Sequence, residues 1–116
     1  MIRKAGSYCS EKRDAMKGGP GTVTMEHYFK KDEFGGVHTR VCAKLIIPPG
    51  AGIGLHEHVT EDEVYVVLKG RGLVTDDGNT QEIGPGDSVL TGKGAAHCVS
   101  CIGDETLEIL ALVVTY

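Results

Sequence analysis

No long run of lysines and arginines occurs in this chain, only isolated pairs, and no apolar stretch approaches the roughly 20 residues that a membrane-spanning helix needs. Twelve basic residues stand against sixteen acidic ones, for a net charge of −4. Without a basic patch, nucleic acid and anionic membrane are poor partners. The first residues, MIRKAGSYCSEKRDAMKGG, are charged and lack the apolar core of a secretory signal. The chain therefore reads as cytoplasmic, where Cys9, Cys42, Cys98 and Cys101 are expected to stay reduced. Internal repeats and low-complexity tracts are absent too. A length of 116 residues suits one domain over 1–116. A chain of that size buries roughly two-thirds of the surface its unfolded form exposes.

What is present is glycine, 17 residues of it, between short runs of Val, Leu and Ile. That mixture predicts strands and tight turns rather than long helices. Residues 1–21 show no period and read as an arm or short helical turn ending in Gly18-Gly19-Pro20-Gly21. Strands are expected over 22–29, 37–47, around 54–58, over 63–70, and in a hairpin over 70–84 that turns at Asp77-Gly78-Asn79. Two further strands flank a glycine-rich turn within 86–102, and TLEILALVVTY (106–116) is the most apolar strand. Turn signals every 8–12 residues or so predict an all-β antiparallel sandwich or barrel.

The stretch HEHVTEDE, residues 56–63, carries the chemistry. On a strand, residues i and i+2 face the same side with Cα atoms about 6.5–7 Å apart. His56 and His58 can therefore converge on one ion. A turn at 59–62 brings the next strand back, so Glu63 can meet them from its neighbour. His97, just after Gly92-Lys93-Gly94-Ala95-Ala96, is the candidate fourth ligand.

These residues resemble the cupin family. Its first motif, G-x5-H-x-H-x4-E-x6-G, is matched in full by Gly50, His56, His58, Glu63 and Gly70. Its second, G-x5-P-x-G-x2-H-x3-N, keeps every spacing through Gly86, Gly94 and His97, with Gly92 in place of Pro and Cys101 in place of Asn. Those departures touch turn stiffness and strand packing, not the ligand set. The resemblance covers about residues 37–116, the expected barrel core. It implies a jelly-roll β-barrel with His56, His58, Glu63 and His97 as ligands of one divalent transition metal. Manganese leads, with Fe, Ni, Zn, Co and Cu compatible with the donor set. It further implies a homodimer, with the arm over 1–25 exchanged between copies. The second face of TLEILALVVTY, apolar like the first, also wants a partner.

Other residues are weighed by strand parity. Tyr65 and Val67 share the face of Glu63, and the Tyr65 hydroxyl is the candidate for contacting a substrate oxygen. Cys98 and Cys101 face opposite sides, so the pair reads as packed thiols rather than a disulfide, with Cys101 toward the cavity wall. Arg40 and Lys44 could pair an anionic ligand only from the inner face, and their alternation with Val41, Ala43, Leu45 and Ile47 points outward. Glu57, Glu61 and Asp62 read as solvated turn residues.

For function, the resemblance implies a metal site that binds a small carboxylic acid, with decarboxylase or dioxygenase chemistry open to it. The competing reading is a non-catalytic small-molecule-binding or sensor cupin, without any attached DNA-binding domain. Sugar isomerisation or epimerisation would want a basic phosphate pocket, and none is evident.

Overall fold

A computed structural model describes all 116 residues. Ten strands follow in order: β1 (Cys9–Asp14), β2 (Thr22–His27), β3 (Thr39–Ile47), β4 (Gly52–Glu57), β5 (Glu61–Lys69), β6 (Arg71–Asp76), β7 (Asn79–Ile83), β8 (Ser88–Thr91), β9 (Ala96–Ile102) and β10 (Leu107–Thr115). They form two antiparallel sheets, one of six strands in the order β1-β2-β3-β10-β5-β8 and one of four in the order β4-β9-β6-β7. This is the all-β jelly-roll barrel. No helix is long and apolar enough to cross a membrane.

Alternation builds the core. Leu107, Ile109, Ala111 and Val113 of β10 face inward beside Ala43, Leu45 and Ile47 of β3 and Tyr65 and Val67 of β5. Val74, Ile83 and Val99 close it from the four-stranded sheet. Burying apolar surface at about 25 cal/mol per Å² drives the two sheets together. Buried polar side chains break the apolar pattern at His58, Glu63, Thr91 and His97. A buried charge or imidazole costs several kcal/mol unless it is partnered. That exception marks the site.

The N-terminal segment departs from the expected arm. Residues 9–14 pair with β2 of the same chain, Cys9 opposite His27 through Asp14 opposite Thr22. Val23 and Met25, placed within the arm by its 1–25 boundary, belong to the core. CSEKRD shows no apolar alternation because β1 is an edge strand, exposed along nearly its whole length. A turn at Met16–Gly18 then connects to β2. The expected turn at 59–62 is also shorter, since Glu61 and Asp62 already belong to β5. The hairpin turn at Asp77-Gly78 stands as expected, both residues taking positive φ.

Candidate metal centre

His56 lies on β4 directly opposite His97 on β9. The register slips between Ile53 and His56, where three residues of β4 advance against two of β9. On an uninterrupted strand Ile53 and His56 would face opposite sides. The bulge lets Ile53 enter the core while His56 also points in. His58 follows the strand and is fixed by two backbone bonds, its N–H donating to the Ala95 carbonyl and its carbonyl accepting from Gly94 N–H. Glu63 arrives from β5 in the other sheet. The four side chains thus meet at one end of the barrel, between the sheets.

Their protonation is fixed from behind. The His56 Nδ1–H donates to the Gly54 carbonyl at 2.7 Å, and the His58 Nδ1–H to the Glu61 carboxylate at 2.8 Å. Thr91 gives its own hydroxyl proton to Asp76, so its oxygen accepts from His97 Nδ1–H at 2.9 Å. With every Nδ1 protonated, each neutral ring turns the lone pair of Nε2 toward the same point. His97 Nε2 stands 3.0 Å from His58 Nε2 and 3.1 Å from His56 Nε2. Glu63 Oε1 stands 3.1 Å from His58 Nε2 and 3.0 Å from His97 Nε2. All four donor atoms lie within 4.8 Å of one another.

Lone pairs packed this closely repel unless a cation or a proton lies among them. Neighbouring donors of an octahedral ion with bonds of about 2.1–2.2 Å stand about 3.0–3.1 Å apart, against about 3.4–3.6 Å for a tetrahedral one. The cluster could hold a metal ion, and its edges fit the octahedral case.

Without an ion, a proton takes its place among the donors. Burial pushes the Glu63 carboxyl up, but hydrogen bonds and charge from His58 and His97 prevail and bring it down to about 2. The bond to Glu63 raises His58 against the opposing effect of burial, and Glu61 adds to the rise. Burial lowers His56; the Gly54 carbonyl opposes this, while His97 and His58 reinforce it. Tyr65 stacks on His97 with ring centroids 4.9 Å apart and planes 17° from parallel. Burial first, and then the Glu63 charge, hold its hydroxyl well above the ordinary phenol value. It stays protonated.

Above the donors opens a cavity of about 300 Å³, lined by Met25, Leu45, Ile53 and Tyr65 and rimmed by Arg13, Lys17 and Arg40. A larger, shallower groove of about 660 Å³ lies beyond Arg40, around His27 and Lys30 to Val37, apart from the cage.

Several expectations need correction here. Glu61 is not a solvated turn residue: its side chain is 15% exposed, holds His58, and takes a two-pronged bond from Arg40 at 2.8 and 2.6 Å. Asp62 is engaged as well, accepting from the Tyr116 hydroxyl at 2.6 Å. Its carboxylate fills the space that a Cβ on Gly92 would need, which accounts for glycine where the motif has Pro. Arg40, read as outward, borders the cavity, while Lys44 pairs with Glu26 and Glu108 on the outer face. Cys101 does not line the cavity; its thiol donates to the Glu105 carbonyl at 3.1 Å. All four cysteines are free. Glu61, Thr91 and Asp76 escaped the sequence reading, and only the odd polar parity of Thr91, facing inward beside Glu63, could have pointed to one of them.

Barrel and cage together define a class: a small jelly-roll protein with a three-histidine, one-carboxylate site. The cupin domain matches residues 43–114, and the chain belongs to the cupin family. It is 33% identical over 114 residues to the oxalate-binding protein of Thermotoga maritima, covering 98% of this chain and 93% of that one. To an uncharacterized protein of Methanocaldococcus jannaschii it is 38% identical over 68 residues, 59% of this chain and 54% of that one. The crystal structure of a predicted oxalate decarboxylase from Thermotoga maritima matches with a TM-score of 0.95 and 33% identity, covering 100% of both chains.

Proposed function

We propose that this cupin holds one divalent transition ion on His56, His58, Glu63 and His97 and binds a small carboxylate, oxalate foremost, at the positions the protein leaves open. The observation that carries this reading is the convergence of three Nε2 lone pairs, each backed by a hydrogen-bonded Nδ1, on one buried carboxylate. Octahedral spacing favours manganese over zinc, which prefers four tetrahedral ligands in closed sites. Such an ion would polarise a bound carboxylate. Around it, Tyr65 offers a neutral hydroxyl beside Glu63, and Met25, Leu45 and Ile53 supply apolar contact.

Two outcomes for the bound acid stand open. A decarboxylase would turn oxalate and one proton into formate and carbon dioxide; a dioxygenase would consume dioxygen. The name of the Thermotoga maritima oxalate-binding protein favours the alternative to both, binding without turnover. Two copies of the chain would meet through the outer face of the six-stranded sheet. Exchange of residues 1–25 would carry β1 and most of β2 together, replacing the β2–β3 pairing within a chain by the same pairing across two.

Elemental analysis beside oxalate turnover tests the reading. Wild-type protein is expected to carry about one transition ion per chain, and the His56→Ala/His97→Ala protein none. Formate and carbon dioxide from the reconstituted protein would establish the decarboxylase; tight oxalate binding without products or oxygen uptake would establish the binding protein. A wild-type chain that takes up no metal from Mn, Fe, Ni or Zn would sink the proposal.

A further inference from the structure

The cavity is lined by apolar and charged side chains together, with Arg13, Lys17 and Arg40 standing against the carboxylates of Glu57, Glu61 and Glu63. Arg40 is committed, both prongs of its guanidinium being held by Glu61. Arg13 is not. Its only partner is Glu11, at 3.3 Å, and the same Glu11 oxygen is already 2.8 Å from His27 Nε2. Arg13 faces inward because it stands opposite the core residue Val23, just as Glu11 stands opposite Met25. In an antiparallel pair, directly opposed residues share a face. An arginine at a core-facing position, with its side chain still 46% exposed, meets the cavity mouth instead of packed carbon.

Lys17 reaches the same rim from the turn after β1. That turn is held in place, since Lys17 takes φ of 54° and its carbonyl sits where a Cβ on Gly54 would be. Gly54 in turn supplies the carbonyl that binds His56. The basic rim and the ligand strand are therefore locked together.

We propose that Arg13, with Lys17 beside it, forms an anion subsite for the outer carboxylate of a dicarboxylate whose inner carboxylate lies at the four-donor cage. This rests on the carboxylate reading above and adds the selectivity that an ion alone lacks. An ion with two adjacent open positions chelates oxalate or malonate through both carboxylates, but it takes one carboxylate of a longer diacid such as succinate much as it takes acetate. A free guanidinium at the mouth rewards only a ligand with a second carboxylate, which it can grip with two parallel hydrogen bonds.

The test is calorimetric titration of the metal-reconstituted full chain with oxalate, malonate, succinate and acetate. Succinate, too long to chelate well, is expected to bind wild type about 10-fold or more tighter than acetate, with oxalate and malonate as the chelating controls. Arg13→Met should abolish that preference, with a loss of about 10- to 100-fold for succinate, acetate affinity and metal content unchanged, and a smaller loss in Lys17→Met. Arg13→Gln repeats the measurement should the Met variant fold poorly. Equal succinate and acetate affinities in wild type, or an Arg13 variant that weakens succinate and acetate alike or neither, would overturn the subsite and leave the carboxylate reading standing. A wild-type protein that holds metal but binds none of the four acids would overturn the carboxylate reading itself, and the subsite with it.

Discussion

A histidine that coordinates through Nε2 must keep its proton on Nδ1, and the three here find three unlike acceptors: a backbone carbonyl, a threonine hydroxyl and a carboxylate. Glu61 is the charged one, so it does most to increase the donor strength of its imidazole. Arg40 keeps it ionised, lowering the Glu61 carboxyl against the effect of burial, with His58 assisting. Glu61→Ala is expected to weaken metal binding about 10- to 100-fold while leaving the four ligands in place. Glu61→Gln, whose amide oxygen still accepts from His58, should recover part of the loss. Chelator competition reads both affinities. An unchanged affinity in Glu61→Ala would show that His58 holds its tautomer without Glu61.

At the scale of elements, the chain's own pattern reveals the cage more readily than what supports it. His56, His58 and Glu63 share one short stretch, but Glu63 reaches the histidines from β5 in the facing sheet, not from a strand paired with β4 as the spacing suggests. The bulge in β4 leaves no trace, since strict alternation from Ile53 would turn His56 outward. β1 was illegible for a related reason: its inward positions, Glu11 and Arg13, border an opening and so carry charge where a covered strand would carry Val or Ile. Glu61 reads as turn because β5 starts two residues before the apolar alternation does. Gly54 joins these parts. Its Cβ would collide with the Lys17 carbonyl and stand 2.9 Å from Gly19 N. Both are backbone atoms that cannot swing aside. Gly54→Ala is therefore expected to destabilise the fold by about 1–3 kcal/mol, whereas Gly35→Ala, with open space around it, should cost far less. Urea denaturation of the metal-free proteins compares them, and equal midpoints would mean that the turn does not press on β4.

At the scale of the whole molecule, one sheet has to satisfy two environments. The inward side of the six strands supplies core and Glu63; the outward side carries the row Leu90, Val64, Leu112, Cys42 across β8, β5, β10 and β3. Val66 and Leu110 form the next row, and Leu90 is 64% exposed. An apolar band over four strands, bordered by Lys44 with Glu26 and Glu108, has the composition of an interface centre with a polar rim. A two-fold pairing would lay each band on its own copy, the self-complementary contact that a symmetric dimer needs. Light scattering is expected to give twice the 12.3 kDa chain mass for wild type and the single mass for Leu112→Glu. A charge set in that face would be buried without a partner, raising the dimer dissociation constant about 100-fold or more. The cage lies on the opposite side of the same sheet, so the Leu112→Glu monomer should keep its metal. A variant that stays dimeric would move the contact to the N-terminal strands, with β1 on the exposed edge of the six-stranded sheet.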